Sequence, residues 1–146
     1  MAVAGNYAYL ANSDTGFHIV DISDNSSPAR VSSFRTPGLA YDVTVRGTHA
    51  FVADGEAGLQ ILDISDPTSP EIVGVFEMDG FANAVTVNGD FAYLSDETSG
   101  LKKIDIRNPR MPKLIAFYDT PGESADVVIQ GDYIVVPDSF SLMILK

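Results

Sequence analysis

The chain has 146 residues, enough for one ordinary domain, and 45% of them are hydrophobic, enough for a packed core. Nine Lys and Arg against 20 Asp and Glu give a formal charge of −11, which repels phosphate backbones and anionic lipid and argues against nucleic acid or membrane as partners. There is no cysteine, so disulfides, thiolate catalysis and Cys-ligated zinc are excluded; the two histidines, His18 and His49, leave little for zinc chemistry or a Ser-His-Asp triad.

The first residues, AVAGNYAYLAN (2–12), look like a short signal segment until they are set beside TVRGTHAFVAD (44–54) and TVNGDFAYLSD (86–96). They fall in the same columns, so the reading is mature structure with no targeting segment. In each of these stretches, and again at 131, a glycine separates two β-rich runs. Gly5, Gly47, Gly89 and Gly131 are followed by Asn6, Thr48, Asp90 and Asp132, which is a hairpin signal. The runs before the turn are YDVTV (41–45), NAVTV (83–87) and ADVVI (125–129). Those after it are YAYLA (7–11), HAFVA (49–53), FAYLS (91–95) and YIVVP (133–137).

Short polar loops follow: NSDTG (12–16), DGEAG (54–58), DETSG (96–100) and the shorter DSFS (138–141). They lead into third strands, FHIVDI (17–22), LQILDI (59–64), LKKIDI (101–106) and LMILK (142–146). Turns ending in Pro28, Pro70 and Pro112 introduce fourth strands, RVSSF (30–34), IVGVF (72–76) and LIAFY (114–118). Linkers RTPG (35–38), EMDG (77–80) and DTPG (119–122) pass to the next unit. The spacing is constant: Gly16, Gly58 and Gly100 stand 42 residues apart, as do Asp21, Asp63 and Asp105.

No window has a helical period, and several strands are apolar on both faces, as in Leu59, Ile61, Leu62 and Ile64. A sheet of such strands must be covered on both sides. A four-stranded unit repeating at 42 residues is the pattern of a propeller blade. The predicted fold is therefore an all-β propeller of about 3.5 to 4 blades, partial or minimal, in one domain 1–146. Its units run 3–44, 45–86, 87–128 and, in part, 129–146. With blades running inner to outer strand, the fourth (123–146) has three strands. Such a chain is a fragment of a larger propeller, a tight four-bladed ring, or half of a homodimer closing about eight blades.

The columns GFHIVDISDNSSP (16–28), GLQILDISDPTSP (58–70) and GLKKIDIRNPRMP (100–112), with YAYLAN, HAFVAD and FAYLSD ahead of them, resemble the LVIVD-repeat family of β-propeller proteins. The TPG and DV pairs at 36–43 and 120–127 fit as well. The resemblance covers the chain. It implies an extracellular or cell-surface propeller, often within a longer protein, and supplies no catalytic residue. The third unit departs from the pattern: Lys103 stands in the column of Ile19 and Ile61, and Arg107 in that of Ser23 and Ser65. Lys103 would need a partner acid or solvent.

Candidate sites follow from the columns. Asp21, Asp63 and Asp105, inside apolar strands, are read as caps for the turn after them, because a solution repeated in every blade serves structure. Asp42 and Asp126 share an inner-strand column, with Ala84 between them and Asn83 adjacent. Two such acids at a channel mouth can hold a cation such as Ca²⁺; the favoured reading is that they bond to backbone amides of neighbouring blades. The acidic loops at Asp54–Glu56 and Asp96–Glu97 invite the same calcium idea but lack the ligand density of a calcium loop. The aromatic columns Tyr7, Tyr9, Phe51, Phe91, Tyr93 and Tyr133 read as packing between blades. Leu39, Tyr41 and Phe81, in less regular loops before the inner strands, are the expected contact surface for a protein or glycan partner. The leading functional expectation is a non-enzymatic binding or structural module at the cell surface. The alternative is a metal-dependent hydrolase with its acids at the channel mouth.

Overall fold

The structure is a computed structural model and describes all residues except Thr98, Pro121, Ala125, Asp132 and Lys146. Among the described residues there are four antiparallel sheets and no helix. The first sheet is β1 (Ala2–Ala4), β2 (Tyr7–Ala11), β3 (Phe17–Asp21) and β4 (Ala29–Phe34). The second is β5 (Asp42–Arg46), β6 (His49–Ala53), β7 (Leu59–Asp63) and β8 (Glu71–Phe76). The third is β9 (Ala82–Asn88), β10 (Phe91–Asp96), β11 (Gly100–Asp105) and β12 (Lys113–Tyr118). The fourth holds β13 (Val128–Gln130), β14 (Tyr133–Pro137) and β15 (Leu142–Leu145). Strand order within each sheet is chain order. These sheets are blades 1 to 4. The expected strands are recovered to within a residue at most ends; β13 begins at Val128 rather than 125, and the expected Ala125, Asp132 and Lys146 positions lie outside the described residues.

The hairpin glycines do what their column requires. Gly5, Gly47, Gly89 and Gly131 have φ between +54° and +60°, a left-handed conformation that costs glycine nothing. Ala4 pairs with Tyr7, and Arg46 with His49, so two residues close each hairpin and fix its register.

Alternation then sends each strand's side chains to two neighbours. The forward face of blade 1, with Tyr9, Phe17 and Ile19, packs on Val43, Ala50, Val52 and Leu62 of blade 2. The forward face of blade 2, with Phe51, Leu59 and Ile61, packs on Val85, Ala92, Leu94 and Ile104 of blade 3. Tyr93 and Leu101 of blade 3 pack on Val127 and Val136 of blade 4. The core is thus three layers, each between successive blades. The first strands also approach one another, β1 with β5, β5 with β9 and β9 with β13, so the blades fan out from that side. Among the described residues no comparable strand packing joins blade 4 to blade 1, and the ring is not closed.

Blade 3 keeps its forward face covered despite Lys103. The Lys103 ammonium lies 4.2 Å from the centre of the Phe91 ring and 5.6 Å from that of Tyr93. The expected partner acid is thus replaced by two aromatic faces, which attract a half-buried cation through their quadrupoles. Arg107 turns back onto its own blade: its Nε donates to Asp105 Oδ2 at 3.0 Å.

Each complete blade also carries a bulge that its sequence does not announce. The third-to-fourth strand register shifts between Ile19 and Val20, Ile61 and Leu62, and Lys103 and Ile104. The extra residues are Val31, Val73 and Ile115, and the bulge bends the outer strand. Beside the bulge of blade 2, the Pro109 carbonyl of blade 3 sits where a side chain on Gly74 would begin: a Cβ there would lie 1.8 Å from that oxygen. Gly74→Ala should therefore push blades 2 and 3 apart and destabilise the chain by about 1–3 kcal/mol in urea unfolding, as other overpacked sites do. Unchanged stability would mean that the approach is not fixed.

Candidate functional site

The recurrent carboxylates come first, because they decide which acids remain for chemistry. Asp21 Oδ1 accepts the Ser23 amide at 2.8 Å, Asp63 Oδ1 the Ser65 amide at 2.8 Å, and Asp105 Oδ1 the Arg107 amide at 3.0 Å. Three residues on, Asp24 and Asp66 accept both amide and hydroxyl from Ser26 and Thr68, and Asn108 accepts the Arg110 amide. These are Asx turns, in which the side chain takes the place of a backbone acceptor. Backbone and side-chain donors from Ser23 hold Asp21 below the ordinary carboxylate range; Ser65 does the same for Asp63. At Asp105 the Arg107 side chain leads and its amide assists.

A second set of acids locks the linkers between blades. Asp54 is fully buried, accepting the Thr36 hydroxyl at 2.5 Å and the Gly38 amide at 2.8 Å. It thereby ties the 35–38 linker to the loop after β6. Burial pushes its pKa up, against the pull of those two donors. Asp96 is equally buried; it accepts the Phe81 amide at 3.2 Å and pairs with the Lys102 ammonium. The two loops raised as calcium candidates thus place Asp54 and Asp96 on linker amides, a role that the sequence did not indicate. The common signal was available: Asp54 directly follows the second strand of its blade and Asp96 ends that of the next, and both face the linker that arrives from the preceding blade.

The locked linkers carry the expected contact residues. Tyr41 donates its amide to Ala53, and Phe81 accepts the Glu97 amide through its carbonyl. Both backbones are therefore held. Their rings meet edge to face with centroids 5.1 Å apart, although they belong to successive blades. Tyr41 and Leu39 are exposed and Phe81 is half-buried. Gly55 lies beneath them, close to the Phe81 ring and the Leu39 carbonyl. The same loop supplies Glu56 and Ala57 to a cleft of about 580 Å³, whose other walls include Pro37, Val75, Glu77, Met78 and Asp79. The structure thus brings Leu39, Tyr41 and Phe81 to one place, beside a cleft of mixed lining that includes the buried Gln60 and the carboxylates of Glu56, Glu77 and Asp79.

Asp42 and Asp126 stand on different blades, and each accepts a backbone amide. Asp42, in β5, accepts the Val85 amide of blade 3 through Oδ2 at 3.1 Å, while its Oδ1 lies 3.5 Å from the N-terminal ammonium. Asp126 stands before β13 on blade 4, beyond blade 3, and accepts the Val127 amide at 2.7 Å. Each carboxylate thus serves backbone, Asp42 that of a neighbouring blade. Among the described residues no group of three or more His, Asp or Glu is placed to hold a metal ion.

Two measurements test these roles. Asp42→Ala strands the Val85 amide and should cost about 1–3 kcal/mol of stability. The loss should be the same with and without millimolar Ca²⁺ in a thermal scan; a calcium-dependent rise in Tm that this variant abolishes would restore the metal reading. Asp63→Asn tests the turn carboxylates. A carboxylate held below its unfolded pKa of 3.8 adds stability above that pH and loses it as pH falls through the folded value. The variant should therefore have a lower Tm than the parent at pH 7, and the two should converge below pH 3.8. A gap that is constant with pH would remove the charge from the explanation.

A family model described as the LVIVD repeat matches four successive segments, 1–36, 37–77, 79–120 and 121–145. No curated protein matches the chain. Among solved structures, the crystal structure of the computationally designed Ika4 protein superposes with a TM-score of 0.80 at 9% identity, over 99% of this chain and 87% of that one. A crystal structure of the computationally designed Ika8 protein gives 0.79 at 9% identity, over 98% of this chain and 44% of that one. At such identity the likeness is one of fold. The four repeat matches span nearly every residue, and they coincide with the four blades: the chain belongs to the LVIVD-repeat family.

Proposed function

We propose that this propeller-like scaffold is a non-enzymatic binding module at the cell surface, and that it meets its partner through Leu39, Tyr41 and Phe81. The observation that carries the reading is the Tyr41–Phe81 pair: two rings from successive blades, in contact and set on held backbone. Large rings on a rigid support give contact area with little ordering entropy, which is why aromatic residues anchor recognition surfaces. Such faces suit the C–H face of a sugar or the apolar side chains of a protein. Glu56, Glu77 and Asp79 along the adjoining cleft favour neutral or cationic ligands over anionic ones. The cell-surface placement rests on the family resemblance alone.

The test is a binding screen of the purified chain against neutral and amine-bearing oligosaccharides and against lysine-rich peptides. A hit should weaken at least about tenfold in Tyr41→Ser with Phe81→Ser, as truncation of aromatic anchors does elsewhere. The double variant gives up one aromatic contact between blades, so its Tm should fall slightly while its β-sheet circular dichroism matches the parent's. Undiminished affinity in the variant would move the site elsewhere. Antibody labelling of intact cells that express the protein checks the placement; signal only after permeabilisation would refute it.

A further inference from the structure

The two end faces of the arc carry more information than exposed apolar residues usually do. In blades 1 to 3 the forward face is built from the columns Phe17, Leu59, Leu101 and Ile19, Ile61, Lys103. Phe17, Ile19, Leu59, Ile61 and Leu101 are all 0% exposed, because the next blade lies on them. Blade 4 places Leu142 and Ile144 in those two columns, and they are 57% and 58% exposed. The register agrees: Ile144 pairs with Val135 as Lys103 pairs with Tyr93. This face therefore has the composition of a seat for a following blade, and no blade sits on it among the described residues.

The opposite end has the complementary composition. The back faces that are seated on a preceding blade use Val45, Val52 and Leu62 in blade 2, and Val87, Leu94 and Ile104 in blade 3. Blade 1 offers Val3, Leu10 and Val20 in the same columns. Val3 is 60% exposed, against half-buried Val45 and Val87; Leu10 and Val20 are half-buried where Val52, Leu62, Leu94 and Ile104 are fully covered.

We propose that a second copy of this chain covers both ends. Blade 4 of each copy receives blade 1 of the other, and the two contacts close a ring of about eight blades around one axis. Both interfaces repeat a packing that the chain already makes three times internally, so no new side-chain complementarity is needed. A second copy with an uncovered blade 4 would leave an apolar face in water, and closure removes that exposure at both ends. Each chain's charge of −11 opposes the approach, but salt screens it over about 8 Å at physiological ionic strength, whereas the apolar contact is not weakened. Association should therefore tighten as salt is raised.

The experiment is absolute mass by light scattering on a sizing column at 0.15 M salt. The expected result is twice the 15.6 kDa of one chain, independent of loading concentration. A single-chain mass overturns the proposal, and so does a mass that climbs with concentration, which would mean open-ended stacking. Ile144→Glu, on the blade 4 face, should return the single-chain mass with the β-sheet circular dichroism intact. Should that variant lose its sheet signal, Val3→Glu on the blade 1 face makes the same test from the other side. Ile115→Glu, exposed on the outer strand of blade 3, should leave the doubled mass unchanged. A doubled mass that survives both face variants would place the contact elsewhere and overturn the assignment.

Discussion

A sheet that is apolar on both faces cannot stand beside water on either. That constraint shapes this chain more than any single residue does. Leu59 and Ile61 point one way from β7 and Leu62 the other, and all three are fully buried, because blade 3 covers one side and blade 1 the other. Burying a side chain of this size stabilises by about 1.5–3 kcal/mol, so each layer outweighs any hydrogen bond in the molecule. Stacking of blades is the only arrangement in which every unit solves its own problem by solving its neighbour's.

Acidity has a different place in the design. The chain is strongly acidic, yet many of its carboxylates face backbone amides rather than a ligand. Asp21, Asp63 and Asp105 hold the turn after the third strand; Asp54 and Asp96 hold the linkers; Asp42 reaches an amide of the next blade. The linker locks show how one column can take unlike residues. In blade 3, Lys102 neutralises the buried Asp96. In blade 2 that lysine's column holds Gln60, whose amide donates to Ala57, and Asp54 relies instead on the hydroxyl of Thr36. The outcome for Asp54 is a carboxyl shifted upward by burial.

The strands, their order and the four-blade division were legible because they depend on period and turn chemistry, which the 42-residue spacing displays openly. The turn role of Asp63 was legible for the same reason. Features set by contacts across a sheet or between blades were not. Nothing local to Lys103 says that Phe91 and Tyr93 will take the place of an acid, since that depends on which side chains share its face across the sheet. The bulges at Val31, Val73 and Ile115 are invisible to a period-two reading, because one added residue looks like one more apolar position. Leu39, Tyr41 and Phe81 could be picked out as irregular, but their meeting depends on the linker locks at Asp54 and Asp96. Those locks pair residues 15 to 18 positions apart, across the boundary of a repeat.

Packing that runs only from each blade to the next has a thermodynamic consequence. Such an array behaves as a line of coupled units, each with its own intrinsic stability and one coupling term per junction, rather than as a single all-or-none core. Within a single chain, blades 2 and 3 have two junctions each and blades 1 and 4 one, so a chain separated from any partner should open from the ends inward. In such a separated chain, blade 4, with three strands among the described residues and its forward face uncovered, is the weakest unit of the line. The Tyr41–Phe81 pair bridges blades 2 and 3, the two most supported units, so the proposed contact surface sits where the array is last to loosen.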